Sequence, residues 1–147
     1  MKPYETFEHT ADTGLRMFGG DLRELFLNAA LGLSDLMTNV ERIKETTSAN
    51  ASRQIVHRTF DLKAENIEEL LWLWLREILF AFSSRRLVFF EYGVQALDET
   101  ILKVQATGVC FDPATDEQRH EVKAITRHGY HVVKQNDRWV AEIIVDI

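Results

Sequence analysis

The sequence predicts an α+β domain of two layers, a largely antiparallel sheet with two main helices packed on it. Three observations carry the prediction. Two long segments repeat apolar residues with helical spacing. The other apolar segments are short, alternate in strand fashion and are bounded by turn residues. Their order is short strands, helix, strand, helix, then a run of strands, which favours helices on an antiparallel sheet. No repeat or linker interrupts the series, so residues 1–147 read as one domain.

Each element has its own warrant. Tyr4 to Glu8 alternates, His9-Thr10-Ala11-Asp12-Thr13-Gly14 makes a polar turn, and Gly14 to Phe18 forms a second strand closed by Gly19-Gly20. Asp21 caps a helix, with Glu24 three residues on in a capping-box relation. Leu22, Leu25, Phe26, Ala29, Ala30, Leu33, Leu36 and Met37 form its apolar face. Glu41 to Ser52 reads as a polar, turn-like, flexible stretch. Gln54 to Ala64 is a strand. Asn66 and Glu69 repeat the capping pattern before a second helix whose apolar residues run nearly all round it, Trp72, Leu73 and Phe80 falling off the main face. Such a helix is central to the domain or partly covered by a partner. After Ser83-Ser84 come four strand candidates, Leu87–Val94, Thr100–Thr107, Glu121–Lys134 and Arg138–Ile147, the last two joined at Asn136-Asp137.

Composition narrows the function classes. Lys and Arg total 17 against 23 Asp and Glu, a formal net charge of −6, and there is no long basic run. Tight direct binding to a nucleic-acid backbone needs clustered cations, so contact with RNA is expected only indirectly, through a partner. Cys110 is the single cysteine, which excludes an intrachain disulfide and a cysteine-built zinc site. It reads as a small buried residue rather than a nucleophile. The opening lacks the apolar run of a secretory signal, and Leu70–Phe82 is too short and too interrupted to span a bilayer. A cytoplasmic, reducing compartment is the expectation. The sequence carries no signal for an oligomeric state.

Strong catalytic signatures are absent from the sequence. Gly19-Gly20 is followed by Asp21 and not by the lysine of a phosphate loop, and neither a Gly-x-Ser-x-Gly elbow nor a His-Glu-x-x-His pair occurs. His128 and His131, three apart in an expected strand, point to opposite faces and favour a structural over a metal-binding role. The two ends hold more. Asp12 sits in the first polar turn, and the sequence closes on Asp146-Ile147 after an apolar strand. Asp12, Asp146 and the Ile147 carboxylate offer hard oxygens of the kind that suit Ca²⁺ or Mg²⁺. By spacing alone, Asp12 as the acceptor of an Asx-turn and Asp146 as a solvated residue account for the pattern better.

A resemblance shifts that balance. Tyr4-Glu5-x-Phe7-Glu8-His9-Thr10-Ala11-Asp12-x-Gly14 resembles the signature of the archease family. The likeness continues through Leu25-Phe26-x-x-Ala29-Ala30-x-Gly32-Leu33, the Leu-Leu-Trp-Leu-Trp-Leu-Arg-Glu helix at 70–77, and Glu121-Val122-Lys123-Ala124-Ile125-Thr126-x-His128, and ends on Asp146-Ile147. The resemblance implies a non-enzymatic accessory protein. Archeases assist the GTP- and metal-dependent tRNA-splicing RNA ligase in tRNA splicing and RNA repair, promoting its guanylylation and multiple turnover, and have been regarded as chaperone-like. The implied calcium ligands are Asp12, Asp146 and Ile147, with Mg²⁺ or Mn²⁺ as other divalent occupants. Two positions depart from the family pattern: Arg127 stands where tyrosine is usual, and Val109 follows Gly108 where glutamate is frequent.

Around this set, His9 could orient Asp12 or only cap the turn. Lys123 could meet a phosphate or a ligase carboxylate, or be a solvated strand lysine, and Asp112 is a further candidate contact. Trp72 and Trp74 read as core. Two rival classes stay open: a metal-dependent hydrolase or nuclease using the same aspartates, and a general chaperone or adaptor working through the apolar helix at 66–83.

Overall fold

A computed structural model describes residues 2–9 and 12–147, with Glu8 and His9 described by backbone alone. The alternation at the start folds as a hairpin of β1 (Tyr4–His9) and β2 (Asp12–Gly19), paired from Tyr4↔Met17 to His9↔Asp12. Thr10 and Ala11, the centre of the expected polar turn, lie outside the described residues. Helix α1 (Leu22–Met37) follows. The Glu24 N–H donates to Asp21 Oδ1 at 2.8 Å, and Glu24 Oε1 accepts from the Gly20 N–H at 3.3 Å, a capping box displaced by one residue from the usual reciprocal bond.

The stretch expected to be flexible is instead helix α2 (Val40–Ala49). Asn39 caps it by accepting the Arg42 N–H at 3.1 Å, and Val40, Ile43 and Thr47 bury a stripe one residue wide. Two aliphatic residues in that stripe are too few to stand out in a hydrophobicity pattern, and tertiary packing supplies the rest. Next come β3 (Val56–Lys63) and α3 (Ile67–Arg85), the latter capped by Asn66 through the Glu69 N–H at 2.9 Å. Four strands complete the chain: β4 (Leu87–Leu97), β5 (Ile101–Cys110), β6 (Ala124–Gln135) and β7 (Arg138–Asp146). Asn136 and Asp137 both have positive φ, 50° and 64°, as a type I′ hairpin turn between β6 and β7 requires.

The strands form two antiparallel sheets, ordered β1-β2-β7-β6 and β3-β5-β4. Helices α1 and α3 touch each other, and each touches strands of both sheets, so one apolar core joins the whole. Trp74 is its centre. The side chain is fully buried, its indole N–H donates to the Phe26 carbonyl of α1 at 2.9 Å, and its ring meets Phe60 of β3 and Tyr92 of β4 edge-on at 5.3 and 5.7 Å. Trp72 is also buried, as expected, but Cys110 is exposed at the end of β5. A tight approach fixes β5 against β4: a Cβ on Gly108 would lie 1.9 Å from the Val88 carbonyl oxygen. Among the described residues no helix is long and apolar enough to cross a membrane.

Because Trp74 bridges α3, α1 and the second sheet, Trp74→Ala should lower unfolding free energy by about 3–5 kcal/mol. Urea denaturation followed by far-UV circular dichroism checks this, and a loss under 1 kcal/mol would show that the core repacks around the gap.

Candidate functional site

The central pair of the first sheet joins the beginning of the chain to its end. Strands β2 and β7 run antiparallel through Thr13↔Val145, Gly14↔Ile144, Leu15↔Ile143 and Arg16↔Glu142. Asp12 and Asp146 are the next residues on the two strands, just beyond the last pair, Thr13↔Val145. The flanking strands extend the row, with His9 of β1 opposite Asp12 and Ala124 of β6 opposite Asp146. Lys123 docks at the same corner through its main chain, its N–H donating to the Asp146 carbonyl at 2.8 Å.

Alternation decides which side this row faces. Leu15, Met17, Ile143 and Val145 are buried toward the helices, so Asp12, Gly14, Arg16, Glu142, Ile144 and Asp146 lie on the opposite face. Asp12 and Asp146 are both partly exposed. Behind them the Phe7 ring lies over Gly14, where a Cβ would come within 2.1 Å of the ring, so glycine makes room for the aromatic. The Arg16 guanidinium lies over the Phe7 ring, 5.0 Å from its centroid. Ile147 packs its side chain against the core, which anchors the residue after Asp146.

Deeper on this face a row of charge crosses all four strands. Arg16 donates to both Glu5 of β1 and Glu142 of β7, and His131 Nε2 of β6 lies 3.3 Å from Glu142. The Arg16 guanidinium beside it holds the Glu5 carboxyl below the usual carboxylate range, and Glu5 in turn raises the Arg16 pKa. Sequence spacing gave no sign of this row, because its members are 11 and 126 residues apart and meet only through strand register.

Strand β6 departs from regular pairing: between Thr126↔Ile144 and His131↔Glu142, residues 127–130 oppose Ile143 alone. This bulge overrides the simple alternation expected for His128 and His131. It is tied to the first turn of α3. Arg127 donates to both carboxylate oxygens of Glu69 at 2.6 and 3.0 Å and lies 4.2 Å from the Trp72 ring centroid, while the Tyr130 hydroxyl donates to the Glu68 carbonyl at 2.7 Å. The departure at Arg127 therefore has a structural employment of its own. Asp112 belongs to a separate turn, accepting the Ala114 N–H at 2.9 Å, with Asp116 bound to Arg53 beside it.

The donors at the sheet end fit a hard divalent cation by their chemistry: two carboxylates on one face and the main-chain oxygens of Ile147, with no thiolate. Among the described residues no group of three or more His, Cys, Asp or Glu side chains gathers to hold a metal. A cation there would draw on two side chains and on main-chain oxygen.

Fold and site together define a small α+β domain whose second and last strands, the central pair of one sheet, each carry an aspartate to the same sheet end. The chain belongs to the archease family: residues 4–147 match the family model described as Archease protein family (MTH1598/TM1083). It is 35% identical to protein archease of Pyrococcus furiosus over an alignment of 151 positions, and 31% identical to that of Sulfurisphaera tokodaii over 148, each covering 100% of both chains. The solution structure of protein 1598 from Methanobacterium thermoautotrophicum superposes with a TM-score of 0.73 at 29% identity over 100% of both chains. A crystal structure from Thermotoga maritima, titled an archease and possible chaperone, shares the fold with a TM-score of 0.64 at 16% identity, covering 97% of this chain and 96% of that one.

Among the described residues four carboxyls are held low in the folded state: Glu5 by Arg16, Glu69 by Arg127, Asp98 by the Thr100 and Ile101 N–H groups, and Glu117 by Arg119. A depressed folded pKa contributes stability that is present above the unfolded value and lost as pH falls through the folded one. Chemical-denaturation stability should thus hold between pH 7 and 6 and decline below about pH 4.5. In Arg16→Gln the decline should be shallower, and an identical slope in the variant would remove Glu5 from the account.

Proposed function

We propose that this chain is an activator of the GTP-dependent tRNA-splicing RNA ligase, promoting its guanylylation and multiple turnover, and that Asp12, Asp146 and Ile147 form a divalent-cation site, for calcium in the first instance. The observation that supports this most directly is the β2–β7 register, whose last pair, Thr13↔Val145, is followed on the two strands by Asp12 and Asp146. Family membership supports the ligase as the client.

Two like charges brought to one sheet end repel, and a cation held between them would relieve that repulsion. A bound divalent ion would supply that charge and hold both carboxylates and the Ile147 oxygens in one arrangement. The chain's own residues do the rest. Gly14 and Phe7 set the floor beneath Asp12, the Ile147 side chain fixes the main chain after Asp146, and the Lys123 N–H holds the Asp146 carbonyl. The Lys123 ammonium, exposed beside this corner, is placed to meet a phosphate or a carboxylate of the ligase. A net charge of −6 favours encounter with a basic, RNA-handling enzyme, and contact with RNA is then indirect.

A chaperone-like action is the second reading, favoured by one observation: Phe80 on α3 is 63% exposed, a large apolar side chain presented to solvent. It predicts suppression of aggregation for unrelated clients, indifferent to the aspartates.

The deciding measurement is multiple-turnover RNA joining and guanylylation by the purified ligase of the same organism, with and without this protein. Acceleration by the wild type should fall on the order of tenfold or more in Asp12→Ala and Asp146→Ala, with folding intact by circular dichroism. Calorimetric titration with Ca²⁺ should lose its binding heat in the same variants. No acceleration by the wild-type protein would overturn the proposal.

A further inference from the structure

The second exposed feature of the molecule is a groove of about 500 Å³ between α3 and the start of β6, lined by Trp72, Leu73, Arg76, Glu77, Leu79, Phe80, Ser83 and residues 123–125. Three properties define what it can hold. Its α3 wall is apolar: Phe80 is 63% exposed, and Leu73 and Leu79 are only partly covered. Its other wall is an open sheet edge, since β6 is the last strand of its sheet and pairs only with β7. Finally, Arg76 and Lys123 stand on opposite sides of the groove, both exposed, and neither joins an ion pair among the described residues.

An open strand edge offers main-chain N–H and C=O groups to an extended segment, and flanking pockets then select alternate side chains. Apolar surface on one wall selects aliphatic or aromatic residues at every second position. Two cations outnumber the one carboxylate that lines the groove, Glu77, and favour carboxylates in a bound segment. A small-molecule site would be more enclosed and would converge more polar groups than this one.

We propose that the groove between α3 and the β6 edge docks an extended segment of the partner protein, carrying apolar residues toward Leu73 and Phe80 and acidic residues toward Arg76 and Lys123. Its assignment to the ligase rests on the reading given above. Because Ala124 of the groove pairs with Asp146, a segment lying here ends beside the candidate cation site. The groove provides the hold, and the aspartate end provides the effect.

Two experiments test this and separate it from the ligase reading. In the first, the dissociation constant of the ligase complex is measured for the wild type, Phe80→Asp and Arg76→Glu, together with ligation at saturating protein. The groove variants should weaken binding at least tenfold and leave the maximal stimulation unchanged. Asp12→Ala should do the reverse. If the wild type does not bind the ligase, the ligase reading fails and the second experiment decides the groove alone. In it, ¹⁵N-labelled protein is titrated to millimolar concentration with an acetylated peptide of alternating Leu and Glu, and with its Leu/Lys counterpart. Shifts confined to residues 73–83 and 123–126, produced by the acidic peptide and abolished in Phe80→Asp, support the proposal. No shifts, or equal shifts from the basic peptide, overturn it. Sedimentation showing a dimer that Phe80→Asp dissociates would also overturn it, since a second copy would then fill the groove.

Discussion

The pairing of β2 with β7 is the constraint from which the rest of the first sheet follows. These two strands stand at opposite ends of the sequence, and closing a loop of that length costs entropy before any contact repays it. The repayment is apolar: Leu15, Met17, Ile143 and Val145 are buried against the helices along the seam. A slip of one residue would turn these four side chains outward and bring Arg16 and Glu142 into the core, so the register is strongly specified. The same register that buries the aliphatic residues necessarily brings Asp12 and Asp146 to the same face and the same end. The placement of the acids is a consequence of how the core is built and needs no interaction between them.

Helix α3 solves a second problem. It is apolar on more of its circumference than one sheet can cover, and the fold disposes of this in three ways. Trp74, Leu71 and Ile78 enter the common core. Trp72 is covered by the β6 bulge, with the Arg127 guanidinium on one side and the Tyr130 ring edge-on at 5.2 Å on another. The Arg127–Glu69 pair that holds the bulge is exposed, where solvent screening leaves such pairs little net contribution, so the aromatic contacts with Trp72 carry more of the attachment. Leu73 and Phe80 are the remainder, and the fold leaves them at the surface.

Much of this was legible in the residues. Both long helices, both Asx caps, the burial of the two tryptophans and the Asn136-Asp137 turn follow from local signals that act within four residues. The family resemblance pointed to Asp12 and Asp146 together, whereas spacing alone left them 134 positions apart with no reason to meet. Helix α2 was hidden because two aliphatic residues and one threonine do not make a visible stripe. The division of the strands into two sheets, the Glu5–Arg16–Glu142–His131 row and the four-residue bulge all depend on strand partners, which no local pattern encodes. Cys110 went the other way: a cysteine at the end of a strand follows the exposure of that end and not the average for its residue type.

Groove and acid row meet at Lys123 and the first residue of β6, and this determines how they can be separated. Phe80 and Arg76 project from α3, whereas Asp12 and Asp146 lie on the helix-free face of the sheet. Among the described residues no ion pair joins Asp146 to Arg76. Substitutions at sites without shared partners add in free energy, so losses at the groove and at the aspartates should combine without interaction if each does its own task. Ala124 is shared through its pairing with Asp146, and Lys123 through its N–H on Asp146 and its place at the groove rim. The main-chain bond survives any side-chain replacement there except proline. Lys123→Met therefore removes the charge while keeping the strand, and its non-additivity with Arg76→Glu or with Asp146→Ala identifies which of the two neighbours the ammonium serves.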